Sequence, residues 1–221
     1  MVFYYTCSDP TYMVYIGKDK YENEGLIRWG WEEDLWFHVD ALSSAHVYLR
    51  VPFDHPMKDG RPDASLIPKE VIEECLQITK HNSIEGCKKS SVDVVCTPWS
   101  NLQKAGDMDV GQVGFKKEKY RHLFRNVERK REMLRNLEKS KTEQQIDLMA
   151  ERERRDRDVQ KREADVRRAE EKQRQQELAR RAEEKKLRTY QSLFEEGTTA
   201  NNVCRGDGTF QTCKALEEDF M

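Results

Sequence analysis

The stretch DLWFHVDALSSAHVYLR, residues 34–50, sets one Trp, two His, one Tyr and one Arg within 17 positions. Two runs in and around it, LWFHV and AHVYLRV, have the β-branched and aromatic content of strands, and residues 40–44 form a short polar turn between them. Successive side chains of a strand point to opposite faces. Leu35, Phe37 and Val39 then share one face, and Ala45, Val47, Leu49 and Val51 share one face of the second run. Both sets are apolar and address a core. If the runs pair antiparallel, Asp34, Trp36, His38, His46, Tyr48 and Arg50 fall together on the opposite face.

Outward from this hairpin, the chain reads as an α+β head over residues 1–115. VFYYT and YMVYIG are two early strands, and YENEGLIRWGW is a short helix with a glycine near its end. Val51 to Ile67 carries Pro52, Pro56, Gly60 and Pro62 and reads as a loop. After Pro68, KEVIEECLQITK places Val71, Ile72, Cys75 and Ile78 on one helical stripe. SVDVVCT and VGQVGF are the last strands of the head.

From Phe115 to Glu196 there is neither Gly nor Pro, and the expectation is a long charged helix or coiled coil over 116–196. Tyr120, Val127 and Leu134 repeat every seven residues, with Leu123 and Leu137 near the other seam position, so any homodimer is expected to be weak at most and confined to 120–149. The seam then fades. Acid–base pairs such as Glu151–Arg155 and Glu163–Arg167 support a solvated single helix instead. Beyond Gly197 the turn-rich tail, 197–221, reads as disordered and acidic.

Charge is unevenly spread. The whole chain is 36% charged, above the roughly 25% of ordinary domains, yet its net charge is only −2. Residues 1–115 hold 11 Lys and Arg against 18 Asp and Glu, a net of −7, whereas 116–190 hold 26 against 17, a net of +9. The basic segment suits a polyanion or an acidic partner. No run approaches the roughly 18 apolar residues of a membrane helix, and MVFYYTCSDP does not have the layout of a secretory signal. The six cysteines, at 7, 75, 87, 96, 204 and 213, form no CxxC pair and read as reduced thiols of a cytoplasmic or nuclear protein. Cys75, Cys87 and Cys96 are expected to pack in the core.

Chemistry-bearing motifs are few. Two His eight residues apart supply two metal ligands with no third at a recognisable spacing. No GxSxG, GxxxxGK[ST] or HExxH occurs, so no catalytic residue, metal or cofactor is assigned and a non-enzyme is expected. Arg205-Gly206-Asp207 spells a cell-adhesion tripeptide and is read as coincidence in a polar tail. The mixed face of the hairpin has two readings. Aromatic faces stack on unpaired bases while Arg and His contact phosphates or base edges. Alternatively, a helix covers Trp36 and the remainder is a half-wet sheet face, the reading that alternation alone favours.

The blocks GKDKYENEGLI, DLWFHVDALSSAHV, VDVVCTPWSNLQK and DVGQVGF, in this order, resemble the NFACT-R domain over about residues 1–115. Gly17, Lys18 and Asn23 match its opening block, and Asp34, Trp36 and His38 match D-x-W-x-H. The family's Gly-Ser-His appears as Ser44-Ala45-His46. Thr97 and Lys104 match a further block, with Cys96 in a Tyr position. Gly111 and Val113 match the last, with Val110 in a Pro position. The family is the RNA-binding part of larger proteins that recognise obstructed large ribosomal subunits and hold tRNA. The N-terminal module of those proteins is not found here, so their peptide-tailing activity is not carried over.

The resemblance turns the balance toward nucleic-acid contact. It implies a non-enzymatic RNA-binding adaptor, associated with tRNA or the ribosome, with Lys18, Asn23, Asp34, Trp36, His38, Ser44, His46 and Lys104 at the interface, to which the alternation adds Tyr48 and Arg50 on the same face. RNA is favoured over DNA as the partner, and no small-molecule substrate is expected. A structural coiled-coil protein, and a DNA-binding protein at a membrane surface, stay open as alternatives, because phosphate attraction is independent of sequence.

Overall fold

A computed structural model describes residues 1–188 except Asp107. The tail 197–221, with Cys204, Cys213 and the Arg205-Gly206-Asp207 tripeptide, lies outside the described residues. In chain order the elements are β1 (Val2–Thr6), β2 (Met13–Gly17), α1 (Lys20–Trp29), β3 (Asp34–Val39), β4 (Val47–Arg50), β5 (Met57–Lys58), β6 (Arg61–Pro62), α2 (Lys69–His81), β7 (Ser91–Pro98), β8 (Leu102–Gln103), β9 (Gly114–Phe115), β10 (His122–Glu128), α3 (Arg131–Ser140), β11 (Thr142–Gln144) and α4 (Leu148–Arg188). The described chain is α+β, as expected. Its contacts divide it into two units, Met1–Asp158 and Val159–Met221.

The first unit is built on a seven-stranded antiparallel sheet in the order β10-β7-β3-β4-β2-β1-β11. β3 and β4 pair as the hairpin pattern requires, with Asp34 opposite Arg50 and Trp36 opposite Tyr48. The alternation therefore sorts the faces correctly. Leu35, Phe37, Val39, Val47 and Leu49 enter one core with Val71, Ile72, Cys75 and Ile78 of α2. Trp36 and Tyr48 enter a second core on the other face, with Tyr15, Leu26 of α1, Val95 and Leu102. The Asp19 side chain starts α1 by accepting from the backbone N–H groups of Tyr21 and Glu22, at 2.8 and 3.0 Å. Cys7, Cys75 and Cys96 are buried, which pushes their thiol pKa values up; Cys87 is half-buried.

The segment 116–147 corrects the expectation of one continuous helix. It forms β10 on the edge of the sheet, then α3 against α2 and β1, then β11 on the opposite edge. Lacking Gly and Pro does not make a segment helical. Asn126 takes the left-handed φ of 55° that a bulge in β10 needs, and Lys130 and Lys141 are extended at the ends of α3. The heptad seam is used within the chain: Val127 is buried from a strand, and Leu134 and Leu137 from a helix. Three of the residues expected to pair two chains through 120–149 are thus occupied by the chain's own core, while Leu123 is exposed and Tyr120 half-buried.

Two ion pairs, to Glu32 and Glu33, seat the start of α4 within the first unit, and a third lies within the helix. Arg155 binds Glu33 at 2.5 Å with both side chains largely buried, and Arg152 reaches Glu32 at 3.7 Å and Asp156 at 3.1 Å. Arg152 also donates to the Gly30 carbonyl and lies over the Trp99 ring. In the second unit the described residues continue as helix to Arg188, with Glu177–Arg181 paired at 2.6 Å. No helix among the described residues is long and apolar enough to cross a membrane.

Candidate nucleic-acid interface

Of the residues assigned from sequence, the structure joins three around one opening. Trp36 and His38, two apart on β3, point the same way and stack with centroids 5.3 Å apart and planes 3° from parallel. His46, just before β4, meets both edge-on, at 5.2 and 5.3 Å. Phe115 of β9 closes the group against Trp36 at 5.8 Å. With Gly111 and Gln112 these rings line a cleft of about 290 Å3, near the lower end of ligand-binding clefts at about 300 Å3.

The face is not an open stacking platform. Trp36 is only 3% exposed and Tyr48 fully buried, because α1 and the segment from Trp99 to Phe115 cover them. Tyr48 stacks instead on Tyr15, at 5.1 Å. What the cleft offers to solvent is the half-buried His38 and Phe115. The His38 Nδ1–H donates to the Val39 carbonyl at 2.7 Å in the tautomer this contact implies. Burial lowers the pKa of both imidazoles, that of His46 to about 3, so both are neutral in ordinary buffers.

Asp34 and Arg50 are turned inward. Arg50 donates from Nε to Asp34 Oδ1 at 2.8 Å and from Nη2 to Oδ2 at 3.1 Å. The Tyr15 hydroxyl and the Trp31 N–H also donate to Oδ2, both at 2.7 Å. The guanidinium lies 3.4 Å from the Trp31 centroid. Burial opposes its charge, but Tyr15 and Asp34 outweigh that and raise its pKa. This pair is a strut of the fold, already bonded to its own carboxylate rather than free for a phosphate.

The remaining four are dispersed. The Ser44 hydroxyl accepts from the Val39 N–H and donates to the Ala45 carbonyl, both at 3.1 Å, and so staples the 40–44 turn. Lys18 pairs with Glu143 of the edge strand β11 at 3.3 Å, away from the cleft residues. Asn23 is buried in α1, close enough to Gly17 that a Cβ there would meet its Oδ1 at 2.4 Å; this is why position 17 is glycine. Lys104 donates to Glu24 at 2.7 Å and to the carbonyls of Asp109 and Gln112 at 2.6 and 3.0 Å.

Sequence reasoning missed Phe115, Arg121 and a basic strip. Arg121 joins the Asp40 carboxylate at 2.8 Å to the Phe115 ring, 5.7 Å from its guanidinium, and so marks the rim of the cleft. It belongs to residues 116–131, KKEKYRHLFRNVERKR, with eight Lys and Arg against two Glu. Lys116, Lys117, Lys119, Arg125, Arg129, Lys130 and Arg131 are exposed. Their charge was visible in the sequence; that the run passes through β10, the strand paired with β7, and brings Arg121 to the cleft rim was not. The −7 of residues 1–115 is thus offset within the first unit, since 116–158 hold 15 Lys and Arg against 10 Asp and Glu. No group of three or more His, Cys, Asp or Glu among the described residues could hold a metal.

Comparison with known proteins agrees with this architecture. Residues 1–117 match the NFACT protein RNA binding domain. A Danio rerio protein named coiled-coil domain-containing protein 25 is 51% identical over 160 residues, covering 72% of this chain and 74% of the relative. Its Mus musculus namesake is 48% identical over 205 residues, covering 91% and 95%. A Dictyostelium discoideum homologue of the same name is 46% identical over 157 residues, covering 71% and 73%. On a match that takes in more than half its length, the chain belongs to the NFACT protein RNA binding domain family.

Proposed function

We propose that this chain is a non-enzymatic RNA-binding adaptor whose first unit holds an unpaired stretch of RNA. His38 and Phe115 offer ring faces to one base at the cleft, and the strip 116–131 takes the adjoining phosphates. Arg121 carries the proposal, because its guanidinium lies over the Phe115 ring at the cleft rim while its backbone leads directly into β10. Stacking on an unpaired base tolerates sequence, while Lys and Arg supply the attraction to the backbone. The helix of the second unit, with 11 Lys and Arg against 7 Asp and Glu over 159–188, adds non-specific attraction.

Association with tRNA or the ribosome, in the cytoplasm or nucleus, is the finer part of the proposal and rests on family membership. Crosslinking the full chain to RNA in cells, sequencing the RNA and mapping the crosslinked peptides tests both levels. The proposal requires tRNA or ribosomal RNA joined to peptides spanning 36–46 or 111–125. Crosslinks confined to DNA, or to peptides of 159–188, would contradict it.

A further inference from the structure

One carboxylate of the first unit occupies a place built for an anion. Glu24 lies on α1, and its Oε1 accepts from Lys104 Nζ at 2.7 Å and from the Gly111 N–H at 2.5 Å. Gly111 has φ +84°, a backbone conformation that L side chains rarely adopt, and in it the N–H is presented to the carboxylate. The turn is closed by the Gln112 N–H donating to the Asp109 carbonyl at 2.9 Å, and Lys104 is held by two of its carbonyls. Lys20 packs beside Gly111, its Cβ 3.6 Å from where a side chain there would begin. The Lys104 ammonium and the backbone N–H of a left-handed glycine make the donor set of an oxyanion site.

Trp36 Nε1 and His46 Nδ1, on side chains that line the same cleft as Gly111 and Gln112, are buried without a hydrogen-bond partner. Native interiors leave few such atoms. Gly111 and Gln112 belong at once to the clasped turn and to the wall of the cleft.

We propose that Lys104 Nζ and the Gly111 N–H form a phosphodiester site for the RNA backbone, which Glu24 fills in the free protein as a tethered competitor. This rests on the RNA-binding reading of the cleft. A tethered carboxylate acts at a high effective concentration, so small free anions displace it poorly. An RNA phosphate anchored by neighbouring contacts at His38 and Arg121 competes on equal terms. When it enters, Glu24 is released and the 109–112 turn moves off the cleft wall, giving His46 Nδ1 and Trp36 Nε1 access to the bound nucleotide. Lys104 is then an RNA ligand in the complex although it is fully engaged without RNA.

The test compares Glu24→Gln with Glu22→Gln, which removes the same charge from the same helix but frees only the chain's N-terminus. Binding of each full chain to a single-stranded RNA is measured beside the wild type, and the Gly111 amide resonance is followed while inorganic phosphate is added. We expect Glu24→Gln to bind RNA at least about threefold more tightly than Glu22→Gln, and its Gly111 amide to shift with phosphate where that of the wild type does not. Equal or weaker binding by folded Glu24→Gln overturns the phosphate site, while RNA binding by the wild type leaves the broader reading standing. If no form binds RNA, that reading falls, and a static Gly111 amide removes the anion site as well. Should Glu24→Gln not fold, Lys104→Met decides: the log–log salt slope should shrink by about 0.7, one single-strand phosphate. An unchanged slope assigns Lys104 to the fold alone.

Discussion

Arg50 grips Asp34 across the β3–β4 register with two charge-assisted hydrogen bonds, and the carboxylate is wholly buried. Removing one partner of such a pair leaves a charge in a low-dielectric site. Arg50→Met should therefore destabilise the first unit by about 3–5 kcal/mol, read as a lower urea midpoint. A loss below about 1 kcal/mol, the size of an exposed pair, would mean that the pair is solvated in solution.

Trp36 and His38 stack on one another but should separate in their effects. Trp36→Ala opens a cavity in the second core and should lower stability by about 3–5 kcal/mol, with RNA binding lost alongside the fold. His38→Ala, at the half-exposed end of the stack, should stay folded and weaken single-stranded RNA binding by about 1–3 kcal/mol. Thermal melts and anisotropy titrations on both variants check this. A stable, fully folded Trp36→Ala protein would contradict the burial described above.

His46 makes stability depend on pH. Its folded pKa of about 3 lies below the unfolded value of about 6.5, so the unfolded chain takes up the proton more readily. The contribution of the neutral ring is complete above about pH 6.5 and is lost as the pH falls toward 3. His38 has the same sign. Comparing urea midpoints at pH 7.5 and 5 should show a larger drop for the wild type than for His46→Leu. An equal drop in both would exclude His46 as a source.

The boundary at Asp158 predicts a truncation result. A chain ending at residue 117 lacks β10, the partner of β7, and the buried Val127, Leu134 and Leu137. It should melt without cooperativity, whereas residues 1–158 should fold as one unit. Circular dichroism melts of the two fragments decide the point; a cooperative melt of 1–117 would place the domain boundary there instead.

How much of this was legible follows from the physics of each segment. Leu35, Phe37, Val39, Val47 and Leu49 alternate, and alternation is local, so the hairpin and its core face could be read directly. The burial of Trp36 and Tyr48 could not, because it depends on which remote segment lies over them. Leu26 and Leu102 carry no mark of that in their own neighbourhoods. β10 was hidden for a second reason: its pairing with β7 joins residues roughly thirty positions apart, and its charged side chains suit a solvated helix equally well. Of the candidate cleft, the placing of Trp36, His38 and His46 on one face was legible from alternation. Phe115 and Arg121 were not, since each acquires its role only when β9 and β10 are placed beside β3 and β7.

The central claim is that RNA phosphates lie along 116–131 beside the cleft, and a salt titration tests it most directly. The affinity of the full chain for one single-stranded RNA is measured from low to moderate salt, for the wild type and for a variant combining Lys117→Gln, Arg121→Gln and Arg125→Gln. With three phosphate contacts removed, the log–log slope should become shallower by about 2, at roughly 0.7 per contact. Parallel slopes would mean that RNA does not follow the strip, and the account of the interface would be wrong.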